Sequence, residues 1–179
     1  MIKELYEGCA CELDMIQQQL DGIENDIFAG KEHMMVEVLS KINRKLLHFK
    51  KAMQQHKEVL ASLEIAGKDF FGAEFSYYLS ALVGEYYKVS VILDSNKEIL
   101  DELQETNDSL LTTKTNDIMK ILTIMAFVTF PLVLISSVFG MNTSVLPIVG
   151  LKNDFWIIMG LMVGATIMFF TFFKYKKWF

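Results

Sequence analysis

The residues best placed to do chemistry stand at the end of a long apolar run, Gly140-Met141-Asn142, with Pro131 inside the run and Pro147 just beyond the tripeptide. A carboxamide at that point can cap the end of a helix, or it can present its oxygen as a hydrogen-bond acceptor at a polar mouth. Other candidates fall away on spacing. Cys9 and Cys11, separated by one residue, are poorly placed to bridge each other within a regular element, and no four-ligand zinc pattern surrounds them. Of His33, His48 and His56, the last two could share a helix face, but eight residues put them about 12 Å apart, too far to chelate one ion. No paired carboxylates, nucleophile–base pair or phosphate-binding glycine loop emerges, so the chain does not read as an enzyme.

The elements that position Gly140-Met141-Asn142 follow from the distribution of charge. Residues 1–120 hold 13 basic and 21 acidic side chains, a net of −8. Residues 121–179 hold four Lys and one Asp, a net of +3. Between Ile121 and Leu151 there is no charged residue. Two 19-residue apolar runs, Ile121–Phe139 and Phe155–Phe173, are each long enough to cross a bilayer. A short loop joins them, so they form a helical hairpin whose backbone groups are satisfied within each span. Lys114 and Lys120 precede the first span; Lys174, Lys176 and Lys177 follow the second. The excess of lysine at these ends places both termini on the cytoplasmic side and the loop outside. The segment MIKELYEGCACELD is charged and lacks an apolar core, so membrane entry falls to the C-terminal spans.

Upstream, the periodicity predicts helix almost throughout. Asp14 to Ala29 is amphipathic, with Gly22 and Gly30 as punctuation, and Lys31 to about Ile65 repeats Met35, Val38, Leu39, Ile42, Leu46, Phe49 and Met53 at helical spacing. Ala66-Gly67-Lys68-Asp69 predicts a turn. A third helix then starts near Phe70 and meets no proline before Pro131. Its stripe Leu82, Tyr86, Val89, Leu93, Asn96, Leu100, Leu103, Asn107, Leu110 alternates steps of four and three, a coiled-coil seam with two polar interruptions. Continued into the first span, this helix would run about 100 Å and would need partners along its length, which favours a symmetric oligomer. The expected division is a helical hairpin region over 1–69, a stalk helix over 70–120, a first membrane helix over 121–142, an external loop over 143–154, a second membrane helix over 155–173 and a basic tail over 174–179.

The tripeptide Gly140-Met141-Asn142, placed directly after the first span of a C-terminal hairpin and preceded by Thr115-Asn116-Asp117-Ile118-Met119-Lys120-Ile121-Leu122-Thr123-Ile124, closely resembles the CorA family of magnesium transporters. The resemblance extends through Glu24-Asn25-Asp26-Ile27-Phe28, the Lys41–Leu60 helix and Asn107-Asp108-Ser109-Leu110-Leu111, and so covers most of the chain. It implies an all-α membrane protein, a homopentamer in which a long stalk helix is continuous with the first of two membrane helices. Gly140, Met141 and Asn142 would then form the ion-selecting mouth. Asn116, Met119, Leu122, Ala126, Phe130, Val133 and Ser137 would line the pore and its gate, with Lys174, Lys176 and Lys177 as a basic collar. Hydrated magnesium is the expected cargo, with cobalt, nickel or zinc as alternatives. The implied setting is a bacterial inner membrane; no cofactor and no nucleic-acid partner are implied. Magnesium keeps its octahedral waters, and a ring of Asn142 oxygens could accept hydrogen bonds from them. Met119 and Leu122 could close the other end by dewetting.

Several positions depart from the family pattern. The family normally carries an N-terminal α/β domain, for which residues 1–13 are too few. Around Ala81, where the family's stalk is expected to offer an acidic partner for a regulatory ion, the chain has Ser80, Ala81, Leu82 and Val83. Val133 replaces a hydroxyl found in some relatives, Phe130 is bulky for a pore, and no Glu follows Pro147. Two rival readings remain: a zinc-carrying member resembling ZntB, and a membrane-anchored coiled-coil scaffold that does not transport.

Overall fold

The computed structural model describes residues 2–141, 150 and 153–176. Four helices follow one another along the chain: α1 (Ile2–Phe28), α2 (Glu32–Phe71), α3 (Ala73–Phe139) and α4 (Asp154–Tyr175). Among the described residues there is no strand. The chain divides into two compact units, Met1–Thr112 and Thr113–Phe179, with α3 contributing to both.

The first unit is held by heptad-spaced apolar side chains. Leu13, Ile16, Leu20, Ile23 and Ile27 of α1 are buried, as are Met35, Leu39, Ile42, Leu46, Met53 and Leu60 of α2. Steps of three and four keep each set on one stripe, so each helix can bury its stripe against the other two. On α3 the seam legible in the sequence is the buried one. Tyr86, Val89, Leu93, Asn96, Leu100, Leu103 and Asn107 are all buried, and Leu82 and Leu110 pack half-buried against them. Lys50 on α2 pairs with Asp94 on α3 at 2.9 Å at the exposed edge of the bundle.

Both polar interruptions of the seam lie inside. The Asn96 amide donates to the Leu13 carbonyl of α1 at 2.8 Å, while the Oδ1 atoms of Asn96 and Asn107 have no hydrogen-bond partner. At the N-terminal end the buried Tyr6 hydroxyl lies 3.1 Å from His56 Nδ1, and its ring meets Tyr86 edge-on. Burial, with smaller contributions from Tyr86 and Cys9, holds the Tyr6 hydroxyl above its ordinary pKa. It therefore remains a neutral partner for the imidazole. His56 is thus engaged with α1 rather than turned toward His48.

Two local expectations are corrected. Helix α1 begins at Ile2, a full three turns before Asp14, because Tyr6 extends the apolar stripe in phase with Leu13. The segment Ala66-Gly67-Lys68-Asp69 is helical and not a turn. Gly67 is buried there, and a Cβ on it would stand 2.7 Å from Leu79 Cδ1, so the glycine admits α3 close to α2. The break comes at Gly72, whose φ of +87° is left-handed and ends α2. The α1–α2 corner does fall at Gly30. There the Gly30 N–H bonds the Ile27 carbonyl and the Lys31 N–H bonds the Asp26 carbonyl, the paired closure of a Schellman motif.

Asn96→Asp tests the buried seam. The change removes the amide donor to Leu13 and buries an unpaired carboxylate, which costs about 3–5 kcal/mol. Burial would raise the folded pKa of that carboxyl above its unfolded value of about 3.9. The ionisation part of the loss should therefore be absent below about pH 4, where the protonated carboxyl can itself donate to the Leu13 carbonyl, and grow as pH rises toward the raised value. Thermal melts of the full chain by circular dichroism between pH 4 and 8 check this. A midpoint unchanged at neutral pH would contradict the buried placement of Asn96.

Candidate functional site

The second unit comprises α3 beyond Thr112 together with α4. Both helices are long and apolar enough to cross a membrane, and at most 6% of the most apolar stretch of either is buried. Such exposure suits lipid or further subunits and would be untenable in water. Pro131 sits within α3 and the helix continues past it to Phe139. Three threonine hydroxyls of this unit are turned onto their own helices: Thr123 donates to the Met119 carbonyl at 2.7 Å, Thr166 to the Met162 carbonyl at 2.8 Å and Thr171 to the Ile167 carbonyl at 2.7 Å. Bonded this way, a threonine is tolerable in hydrocarbon.

Contact between the two helices defines an inner face. Ile124 and Phe173 are buried at 4% and 6% exposure, and the Phe127 and Phe173 rings lie 6.3 Å apart. On α3, Val128, Pro131, Ile135 and Phe139 are half-buried; on α4, Ile158, Met162, Ala165, Thr166 and Phe169 are. At about 100° per residue, Ile124, Val128, Pro131, Ile135 and Phe139 occupy a sector of roughly 80° on α3.

The positions implicated by the sequence occupy the opposite sector. Met119, Leu122, Ala126, Phe130, Val133, Ser137 and Gly140 also fall within roughly 80°, centred about 180° from the inner face, with Asn116 at the edge. Met119, Leu122, Phe130 and Val133 are 57, 54, 72 and 56% exposed. Asn116, Ser137 and Gly140 are exposed as well, and Ala126 is half-buried. One helix thus presents two faces, one taken by α4 and one carrying the candidate residues. The candidate face has no ionised side chain beyond Lys120. From Met119 to Gly140 the one side-chain oxygen in this sector is the hydroxyl of Ser137, so a cation beside it would keep water as its ligand.

At the end of α3 the Gly140 N–H bonds the Ser136 carbonyl at 2.9 Å and the Met141 N–H bonds Val138 at 3.3 Å, tightening the last turn. A Cβ at Gly140 would stand 3.0 Å from the Ser136 carbonyl oxygen. The glycine therefore relieves a close backbone approach, and its φ is not left-handed. Asn142 and Pro147 lie outside the described residues. Lys174 and Lys176 are exposed at the end of α4, and Lys177 lies outside the described residues. A pattern not singled out in the sequence is Gly160 and Gly164, four apart on α4, each with open space where a Cβ would point. Their spacing was the available signal, since small residues four apart let helices approach closely in membranes.

The family model described as CorA-like Mg2+ transporter protein matches residues 2–176, and the chain belongs to that family. The cobalt/magnesium transport protein CorA of Thermotoga maritima is 25% identical over 178 residues, a match covering 99% of this chain and 51% of the relative. That of Methanocaldococcus jannaschii is 26% identical over 181 residues, covering 99% and 56%. The structure of the complete CorA magnesium transporter from Methanocaldococcus jannaschii superposes with a TM-score of 0.86 at 24% identity, again over 99% of this chain and 56% of the other. That likeness establishes the fold: a nearly all-helical CorA fold with two apolar helices. The chain spans about half the length of the curated relatives it matches.

Gly140→Ala is expected to loosen the last turn of α3, since crowding of this kind costs about 1–3 kcal/mol. Hydrogen exchange at the amides of residues 140 and 141 should accelerate about fivefold or more. Gly8→Ala, where a Cβ meets nothing within 4 Å, should instead steady α1 by about 0.5–1 kcal/mol. Equal protection in the Gly140 variant would show that the Ser136 carbonyl yields freely.

Proposed function

We propose that this chain forms a passive channel for divalent cations, with magnesium as the first cargo and cobalt, nickel or zinc as alternatives. The observation that carries the reading is the two-faced α3: the residues implicated by family resemblance share the exposed sector opposite α4. Symmetric copies can bring such faces together around an axis while α4 remains outside. Five copies, as the resemblance implies, would surround a passage lined by Asn116, Met119, Leu122, Ala126, Phe130, Val133 and Ser137.

In this reading residues 1–69 and 70–120 stand in the cytoplasm as hairpin and stalk. Residues 121–142 and 155–173 cross a bacterial inner membrane, 143–154 form the outer loop and 174–179 the basic tail, leaving both termini cytoplasmic. Asn142 oxygens at the outer mouth accept hydrogen bonds from the waters of a hydrated ion, so selection proceeds without stripping the ion. Met119 and Leu122 form an apolar constriction that closes by dewetting. Lys174, Lys176 and Lys177 ring the cytoplasmic end. The membrane potential contributes about 2.3 kcal/mol per charge per 100 mV, or roughly 4.6 for a divalent ion, so inward flux requires no chemical fuel.

Magnesium uptake into liposomes bearing the full chain, under an inside-negative potential, tests this proposal. Wild-type vesicles should take up magnesium, and Asn142→Ala should reduce the rate about tenfold or more, each lost water contact being worth about 1 kcal/mol. Parallel runs with cobalt, nickel and zinc rank the cargo. An oligomeric wild type that carries none of them would favour the coiled-coil scaffold.

A further inference from the structure

At the lysine-bearing end of the hairpin, α3 and α4 enclose a cleft of about 390 Å³ lined by Phe127, Phe169, Phe172, Phe173 and Lys176. Its walls are four phenyl rings and, among the described residues, its rim carries one cation, Lys176. Phe127 lies seven residues from Lys120 along α3, and Phe169 seven residues from Lys176 along α4. Each interval is about 10 Å. The cleft therefore reaches from the lysine level about 10 Å into the apolar layer, the depth over which a phospholipid passes from headgroup to acyl chain. Lys174 and Lys176 stand at the same end, so the electrostatics there favour an anion.

We infer that this cleft seats one anionic phospholipid, an acyl chain lying against Phe127, Phe169, Phe172 and Phe173 and the headgroup phosphate meeting Lys176. The inference needs only that the hairpin spans a bilayer and is independent of ion conduction. A second copy of the chain is the less suitable occupant. An apolar helix in the cleft would bury the Lys176 ammonium with no anion to answer it, which is costly. The surface of α4 that permits the closest helix approach, at Gly160 and Gly164, lies roughly 150° around the helix from the cleft residues. Aromatic walls accept disordered acyl chains without specific geometry, whereas the single cation supplies a preference for headgroup charge.

Native mass spectrometry of the full chain in mild detergent, titrated with phosphatidylglycerol, phosphatidylcholine of the same acyl chains, and inorganic phosphate, tests the inference. Wild type should retain one phosphatidylglycerol per chain about fivefold more tightly than phosphatidylcholine, the preference one lysine near a headgroup supplies. Lys176→Gln should abolish that preference, and Lys174→Gln, outside the cleft, should keep it. Phe172→Ala should weaken both lipids alike; Phe172 is 54% exposed, so the helix packing does not depend on it. Millimolar phosphate should fail to displace the lipid. Equal loss in the two lysine variants, or an unaffected Phe172→Ala, would reduce the site to diffuse surface charge and overturn the inference. Displacement by phosphate would identify an anion site without an acyl seat, and absence of retained lipid in wild type would show that the cleft seats none. Either result overturns it.

Discussion

A helix in hydrocarbon closes its backbone hydrogen bonds on itself, and what remains to organise the membrane half of this chain is contact between side chains. Because lipid is as apolar as leucine, water does not drive α3 and α4 together; the fit of Ile124, Phe127 and Phe173 does. That contact fixes the rotational phase of α3, and with it the direction in which every later residue points. Gly140 is sixteen positions beyond Ile124, and a single inserted residue between them would turn the Gly140-Met141 end by about 100°. The candidate face therefore depends on an unbroken count of residues as much as on their chemistry.

The first unit, Met1–Thr112, solves the reverse problem. In water the drive is burial, and three stripes of heptad spacing bury one another over α1, α2 and the first part of α3. The cost of this economy is that any polar residue on a stripe is taken inside with it. Asn96 and Asn107 are such residues, each leaving a carboxamide oxygen unsatisfied, and they weaken the bundle while restricting how it can assemble.

Much of this was legible in the sequence wherever a period decided the matter. The α3 seam and the two apolar spans are strong repeats, and repeats survive the move from one dimension to three. The errors fell at glycines. Gly67 carries the sequence mark of a turn, yet its role is to let Leu79 approach from a helix that returns only after Gly72, a contact no local window contains. Tyr6 stands one heptad before Leu13, with Gly8, Cys9 and Cys11 between them interrupting the apolar period, and burial in the bundle is what reveals their common stripe. At the functional end, the shared face of Met119 through Gly140 is a matter of helical arithmetic. The two-sided character of α3 needed α4 in place, because only packing says which sector is taken. The role proposed for Asn142 depends on copies meeting around an axis, which one chain does not contain.

The bond from Asn96 to the Leu13 carbonyl also limits the kinematics of the bundle. Apolar knobs in a seam are nearly interchangeable, so a purely leucine interface can slide by one heptad, about 10 Å, and regain its contacts. A directional amide cannot follow such a slip without losing its acceptor in a dry interior. Axial gliding of α1 along α3 is therefore discouraged, and the softer coordinates left to the bundle are tilting and twisting about a fixed pivot near Asn96. It is a lever, not a piston.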